Sequence, residues 1–107
     1  MNPNDSHRFR IRVEPLDDPE HASLMFEVRH PDDLLAIVER IGAGTGFTAD
    51  DANALALGIK LLSHVAQAHR NDPLFADIQP AIRILLGNLR SRAAAAAATS
   101  KRQRTPQ

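Results

Sequence analysis

HRFRIRV at residues 7–13 and LMFEVR at residues 24–29 decide the fold. In the first, Phe9, Ile11 and Val13 alternate with Arg8, Arg10 and Arg12; in the second, Leu24, Phe26 and Val28 alternate with Met25, Glu27 and Arg29. A period of two marks a strand with one apolar and one wet face. Between them, PLDDPEH (residues 15–21) interrupts both ladders and helices with two prolines and paired aspartates, so it reads as a loop. The pattern also sets a register. With Val13 opposite Leu24 in an antiparallel pair, Ile11 faces Phe26 and Phe9 faces Val28. On the other side Arg12 faces Met25, Arg10 faces Glu27 and Arg8 faces Arg29. A slip of one residue would turn the arginines toward the core. Of the polar pairs, Arg10–Glu27 attracts and Arg8–Arg29 repels.

Beyond His30 the apolar period lengthens to three or four. Pro31, Asp32 and Asp33 suit the first turn of a helix, where a missing N–H costs nothing and carboxylates meet the positive end of the dipole. Leu34, Leu35, Ile37, Val38 and Ile41 form its stripe, and Gly42, Gly44 and Gly46 end it, giving a first helix over 31–41. Thr48, with Asp51 three residues on, reads as the N-cap of a second helix over 48–70. Leu55, Ile59, Leu62 and Ala66 fill one of its faces, and Leu57, Leu61, Val65 and Ala68 an adjacent one. Gly58 inside it is expected to be compensated by close approach of another backbone. Asn71, Asp72 and Pro73 break the helix and start a short turn through Leu74 and Phe75. A third helix follows, restarted or kinked at Pro80 and carried by Ile78, Ile82, Leu85, Leu86 and Leu89 to about Arg90. The six alanines from Ala93 to Ala98 extend it by a turn or two. Met1 to Ser6 and Thr99 to Gln107 hold little that could anchor them and are expected to be loose and disordered ends.

The fold class is therefore α+β: a two-stranded antiparallel hairpin packed on three helices, in the order β-β-α-α-α. An isolated hairpin is marginal in water and needs such a partner layer. One compact domain is expected over 7–90, with an Ala-rich and basic tail over 91–107. A chain of 107 residues has room for one core.

Composition excludes several function classes. There is no cysteine, which removes disulfides, thiolate chemistry and Cys-ligated zinc. There are four Phe and no Tyr or Trp, so few rings are available to stack on bases or sugars. No apolar run approaches the ~20 residues needed to span a bilayer, and the first thirty residues hold no apolar core of a leader, so a cytoplasmic protein is expected. The formal net charge of zero conceals an acidic body and a basic tail, the latter carrying Arg92, Lys101, Arg102 and Arg104 without an acid. An acidic body attracts nucleic acid poorly.

No constellation reaches a catalytic, metal or cofactor site. GAGTG (residues 42–46) resembles a phosphate cradle in composition, but it follows a helix and lacks the lysine, so it reads as an interhelical loop. His7, His21, His30, His64 and His69 are scattered; His64 and His69 lie about 140° apart around one helix and diverge. His69 with Asp72 reads as a local pair at a helix end. The doublets Asp17–Asp18, Asp32–Asp33 and Asp50–Asp51 fall in a loop or at helix starts, where aspartate belongs structurally. No cofactor is expected. The row Arg8, Arg10 and Arg12, joined by Arg29, is the one candidate nucleic-acid contact, spaced by about 6.8 Å along the strand. Glu27 and Glu14 dilute it. The surplus apolar surface of the second helix, at Leu57, Leu61 and Val65, is the candidate dimer contact. Open strand edges are an alternative route to the same end.

Three stretches, HRFRIRVEPL (7–16), MFEVRHPDDLLAIVER (25–40) and HRNDPLF (69–75), resemble a small bacterial family known only as a domain of unknown function. The resemblance covers roughly residues 7–90. It implies a compact bacterial cytoplasmic domain without a known ligand and supplies no catalytic residues. The leading functional reading is a non-catalytic interaction or regulatory domain acting as a homodimer. Weak nucleic-acid binding through the arginine face and the tail is second. A small-molecule enzyme, with a pocket at His30, His64 or His69, is third.

Overall fold

The computed structural model describes residues 6–104, with side chains from 6 to 98. Residues 1–5 and 105–107, at the two expected loose ends, lie outside the described residues. The fold is α+β with the order β-β-α-α-α. The chain divides between Asp33 and Leu34 into two compact units.

The first unit is the hairpin of β1 (His7–Val13) and β2 (Leu24–His30). Its register is the one set by the alternation: Val13 opposite Leu24, Ile11 opposite Phe26, Phe9 opposite Val28, with Arg12, Arg10 and Arg8 opposite Met25, Glu27 and Arg29. Phe9, Ile11 and Val28 are half-buried. Phe26 at 40% and Leu24 at 61% relative exposure remain open. In the connecting loop, Asp18 organises the turn. Its carboxylate accepts the Glu20 amide at 3.3 Å, and its carbonyl accepts the His21 amide at 3.1 Å.

The second unit holds α1 (Leu34–Ala43), α2 (Ala49–Ala68), a single 3₁₀ turn (Pro73–Phe75) and α3 (Gln79–Arg104). Helix α1 starts at Leu34, three residues later than the Pro31 rule placed it. The reason is local: the Asp32 amide donates to His30 Nδ1 at 3.0 Å, which holds the Pro31 segment in a bend. Thr48 caps α2 as expected, its hydroxyl accepting the Asp51 amide at 3.3 Å. Asp72 likewise caps the 3₁₀ turn by accepting the Leu74 amide at 2.9 Å. Pro80 sits in the first turn of α3, where its missing N–H has no intrahelical partner to lose. The preceding Gln79 donates its side-chain amide to the Ala66 carbonyl at 3.0 Å and so ties the start of α3 to the end of α2.

Ile41, Ala56, Ile59, Ala66, Ile82 and Leu89 form the buried cluster of this unit, with Ile37, Val38, Leu55, Phe75 and Leu86 packed against it. The face of α2 turned inward is therefore built as much from alanines as from large side chains. Leu62, assigned to the core face by the pattern, is exposed, and Lys60 is buried. Helix α3 also outruns its leucine stripe, continuing through the alanines to Arg104, so residues 99–104, expected to be disordered, are helical. Alanine has the highest helix propensity and needs no packing partner to lose side-chain entropy against.

The glycines divide into those that are required and those that are not. GAGTG is the interhelical loop expected of it, but one of its members is pressed against α3. A Cβ on Gly44 would lie 2.7 Å from the backbone of Arg92 and Ala93. Thr45 is buried and braces the loop, donating to the Gly42 carbonyl at 3.0 Å and accepting the Phe47 amide at 3.1 Å. Gly46 takes φ of 76°, the left-handed region. The compensation expected at Gly58 is not there: a Cβ at that position meets nothing within 4 Å. Gly58→Ala is therefore expected to stabilise the protein by about 0.5–1 kcal/mol, the helix-propensity difference alone. Chemical denaturation at unchanged m-value checks this.

Candidate functional site

Three surfaces carry the candidate residues, and each belongs to one unit. The first is the wet face of the hairpin. Strand periodicity places Arg8, Arg10 and Arg12 in a row on β1, with Met25, Glu27 and Arg29 beside them on β2. Glu27 organises the row. It accepts from Arg8 at 3.1 Å and from Arg10 at 3.5 Å, while Arg12 reaches Glu14 at 3.5 Å. The Arg8–Glu27 contact is diagonal across the ladder, so Arg8 turns away from the like charge directly opposite it. The strand register by itself sets Glu27 against Arg10 alone. Arg29 forms no ion pair among the described residues. All three bridges are solvent-exposed, where such pairs contribute little.

The Arg8 guanidinium, and after it that of Arg10, holds the Glu27 carboxyl below its ordinary value of 4.5. A carboxylate with a depressed folded value binds fewer protons folded than unfolded. Stability from this group is thus present above pH 4.5 and lost as pH falls through the lower folded value. Titration of the Glu27 side-chain carbon signal is expected to give a midpoint below 4.5 in the parent, moving up in Arg8→Ala. A midpoint at 4.5 in both proteins contradicts the pairing.

The second surface is the outer face of α2. Leu57, Leu61 and Val65 fall four residues apart and share one face. Leu57 and Leu61 are half-buried, and Val65 is 46% exposed, with Leu62 open beside it.

The third surface was not legible in the sequence. It is a groove of about 440 Å³ between the interhelical loop, α2 and α3, lined by Thr45, Phe47, Leu55, Leu85, Asn88, Leu89, Ser91 and Arg92. Its polar members are Thr45 on the loop and Asn88, Ser91 and Arg92 on α3, with no carboxylate or histidine among them. It therefore offers apolar contact, an amide, hydroxyls and one guanidinium, but no group suited to moving a proton near neutral pH.

Two of the histidines, His7 and His30, face each other across the end of the hairpin ladder. His30 is buried with Nδ1 accepting the Asp32 amide, which leaves the ring proton on Nε2. At the end of α2 the His69–Asp72 contact is made by the backbone, Asp72 N–H to His69 carbonyl at 2.9 Å, because the Asp72 carboxylate is occupied by Leu74. Among the described residues no cluster of three or more His, Asp or Glu could hold a metal ion. Among the same residues no helix is long and apolar enough to cross a membrane.

Residues 7–91 match the model of a family described as a domain of unknown function with a solved structure, DUF3861. The chain is also similar to a crystallised protein of unknown function from Pectobacterium atrosepticum. The two are 27% identical with a TM-score of 0.73, over 80% of this chain and 98% of that one. No curated protein matches the chain.

Proposed function

The chain belongs to the DUF3861 family of small bacterial domains, and we propose that this member is a non-catalytic interaction domain that works as a homodimer. One observation carries the reading: large apolar side chains stand open on both units, Leu24, Met25 and Phe26 on the hairpin and Leu62, Val65 and Ile84 on the helices. Fully burying an exposed side chain of this size gains about 1.5–3 kcal/mol, so covering the open part of several of them works against the roughly 4–15 kcal/mol that association costs. The contact residues in this reading are Leu57, Leu61 and Val65 on α2, or a strand edge of the hairpin. In this reading the folded domain starts at residue 7 and runs past residue 90 into the alanine stretch, where Ala93 is buried, and a cytoplasmic setting fits a chain without cysteine.

Sedimentation velocity at micromolar concentration tests the reading. A species of about twice the 11.7 kDa chain mass supports it, and a single monomeric species across the range overturns it. The rival reading places nucleic acid on Arg8, Arg10, Arg12 and Arg29. Glu27 and Glu14 already engage the first three, which weighs against a phosphate taking their place. A salt-sensitive gel shift lost in the triple Arg→Ala variant would favour that rival.

A further inference from the structure

A two-stranded sheet leaves two edges whose amides and carbonyls can template another strand. Here the edges differ in chemistry. The wet side of β1 is Arg8, Arg10 and Arg12. Two β1 strands brought together antiparallel about a two-fold axis, wet faces aligned, set arginine against arginine at the centre of the pairing. Like charges directly opposite oppose pairing, and a charged row is a common guard on an edge strand. The wet side of β2 is Met25, Glu27 and Arg29, which carries both signs. A two-fold pairing of β2 centred on Val28 sets Glu27 of each copy opposite Arg29 of the other, and symmetry makes the attraction twice.

The hairpin leaves both groups ready for that contact. Arg29 has Arg8 as its cross-strand neighbour and no carboxylate of its own among the described residues. Glu27 spends one oxygen on Arg8 and the other on Arg10 in single contacts, and each carboxylate oxygen has a further lone pair. Phe26, exposed on the same strand, would be covered by the incoming chain, opposite His30 of the other copy. Pro31 has no N–H and closes the ladder just past His30. A head-to-tail alternative, β1 of one copy on β2 of the next, does not close and would produce fibres.

We propose that a second copy of this chain docks along the β2 edge, extending the hairpin into a four-stranded antiparallel sheet in which Glu27 of each copy faces Arg29 of the other. The inference rests on the homodimer reading and assigns its contact to the sheet edge in place of the α2 face.

Arg29→Glu separates folding from docking. Within the hairpin the new carboxylate faces Arg8 and attracts; across the two-fold axis it faces Glu27 of the other copy and repels, twice. Circular dichroism and thermal stability are expected to hold, while the dimer dissociation constant rises about tenfold or more. Glu27→Arg is expected to be monomeric under the same conditions for the mirrored reason. An equimolar mixture of the two variants restores a dimer containing one chain of each, because every cross-axis pair is then of opposite sign. Val28→Cys, in a chain otherwise free of cysteine, is expected to crosslink to itself on mild oxidation. Val65→Asp leaves the dimer intact. If the parent is a dimer that Arg29→Glu does not weaken, or that Val65→Asp abolishes in a folded chain, the edge assignment falls and the homodimer reading stands. If the parent is monomeric throughout, the homodimer reading falls and the edge assignment with it.

Discussion

Truncating Ile41 to alanine will destabilise the helical unit by about 2–5 kcal/mol, the range for removing a large aliphatic side chain from a closed core. Ile41 lies in the last turn of α1 at 3% exposure, inside the cluster formed with Ala56, Ile59, Ala66, Ile82 and Leu89. Helix α1 has ten residues, too few to persist in water without packing. Its two buried side chains are Leu34 and Ile41, one near each end. Removing the second leaves the loop end of α1 without its anchor, so the loss includes both the cavity and the fraying that follows. Each kcal/mol lowers the melting temperature of a domain this size by about 4–8 °C. Thermal unfolding followed at 222 nm should show a fall of at least about 8 °C. A change under about 3 °C would mean that Ile41 is not a core residue.

Gly44→Ala is the second large effect, and it arises from the opposite fault. The added methyl has no space: three backbone atoms, Ala93 N and the carbonyl carbon and oxygen of Arg92, would lie 2.7 Å from it. A flexible side chain could swing aside, but a helix backbone cannot. The loop must therefore withdraw from α3, disturbing Thr45, whose hydroxyl links Gly42 to Phe47. Overpacking of this kind costs about 1–3 kcal/mol and is the larger when backbone has to move. Gly58→Ala in the same protein is the matched control, since it adds the same methyl in open space. Denaturant titrations should move the two midpoints in opposite directions. A Gly44→Ala midpoint equal to the parent's would contradict the close approach of loop and helix.

The two variants mark what a sequence shows and what it conceals. The hairpin was legible down to the pairing of each residue because one alternation runs through both strands, and any odd slip would reverse the faces. The caps at Thr48 and Asp72 were legible because a side chain there acts on an amide two or three residues away. The start of α1 was not, because a proline rule competed with a hydrogen bond to the His30 ring that the sequence does not announce. The inward face of α2 was half legible. Periodicity finds Ile59 and Ala66, but it cannot say that Ala52 and Ala56 lie inward while Leu62 lies out. The groove was invisible for a related reason. Thr45, Phe47, Leu55 and Arg92 are brought together only by the packing of separate elements, and none of them is unusual in its own stretch. The tight seat of Gly44 belongs to the same class. Three glycines in five residues announce a loop, yet only the position of α3 reveals which of them has no room for a side chain.

The two compact units are each continuous in sequence, one ending at Asp33 and the other beginning at Leu34. No strand has to wait for a partner made at the far end of the chain. Chain-closure entropy is paid over short arcs, a regime in which refolding is fast, on the order of microseconds to milliseconds. An emerging polypeptide can pair the two strands before the helices have been synthesised, but a two-stranded hairpin alone is marginal in water, so that early pairing opens and recloses rapidly.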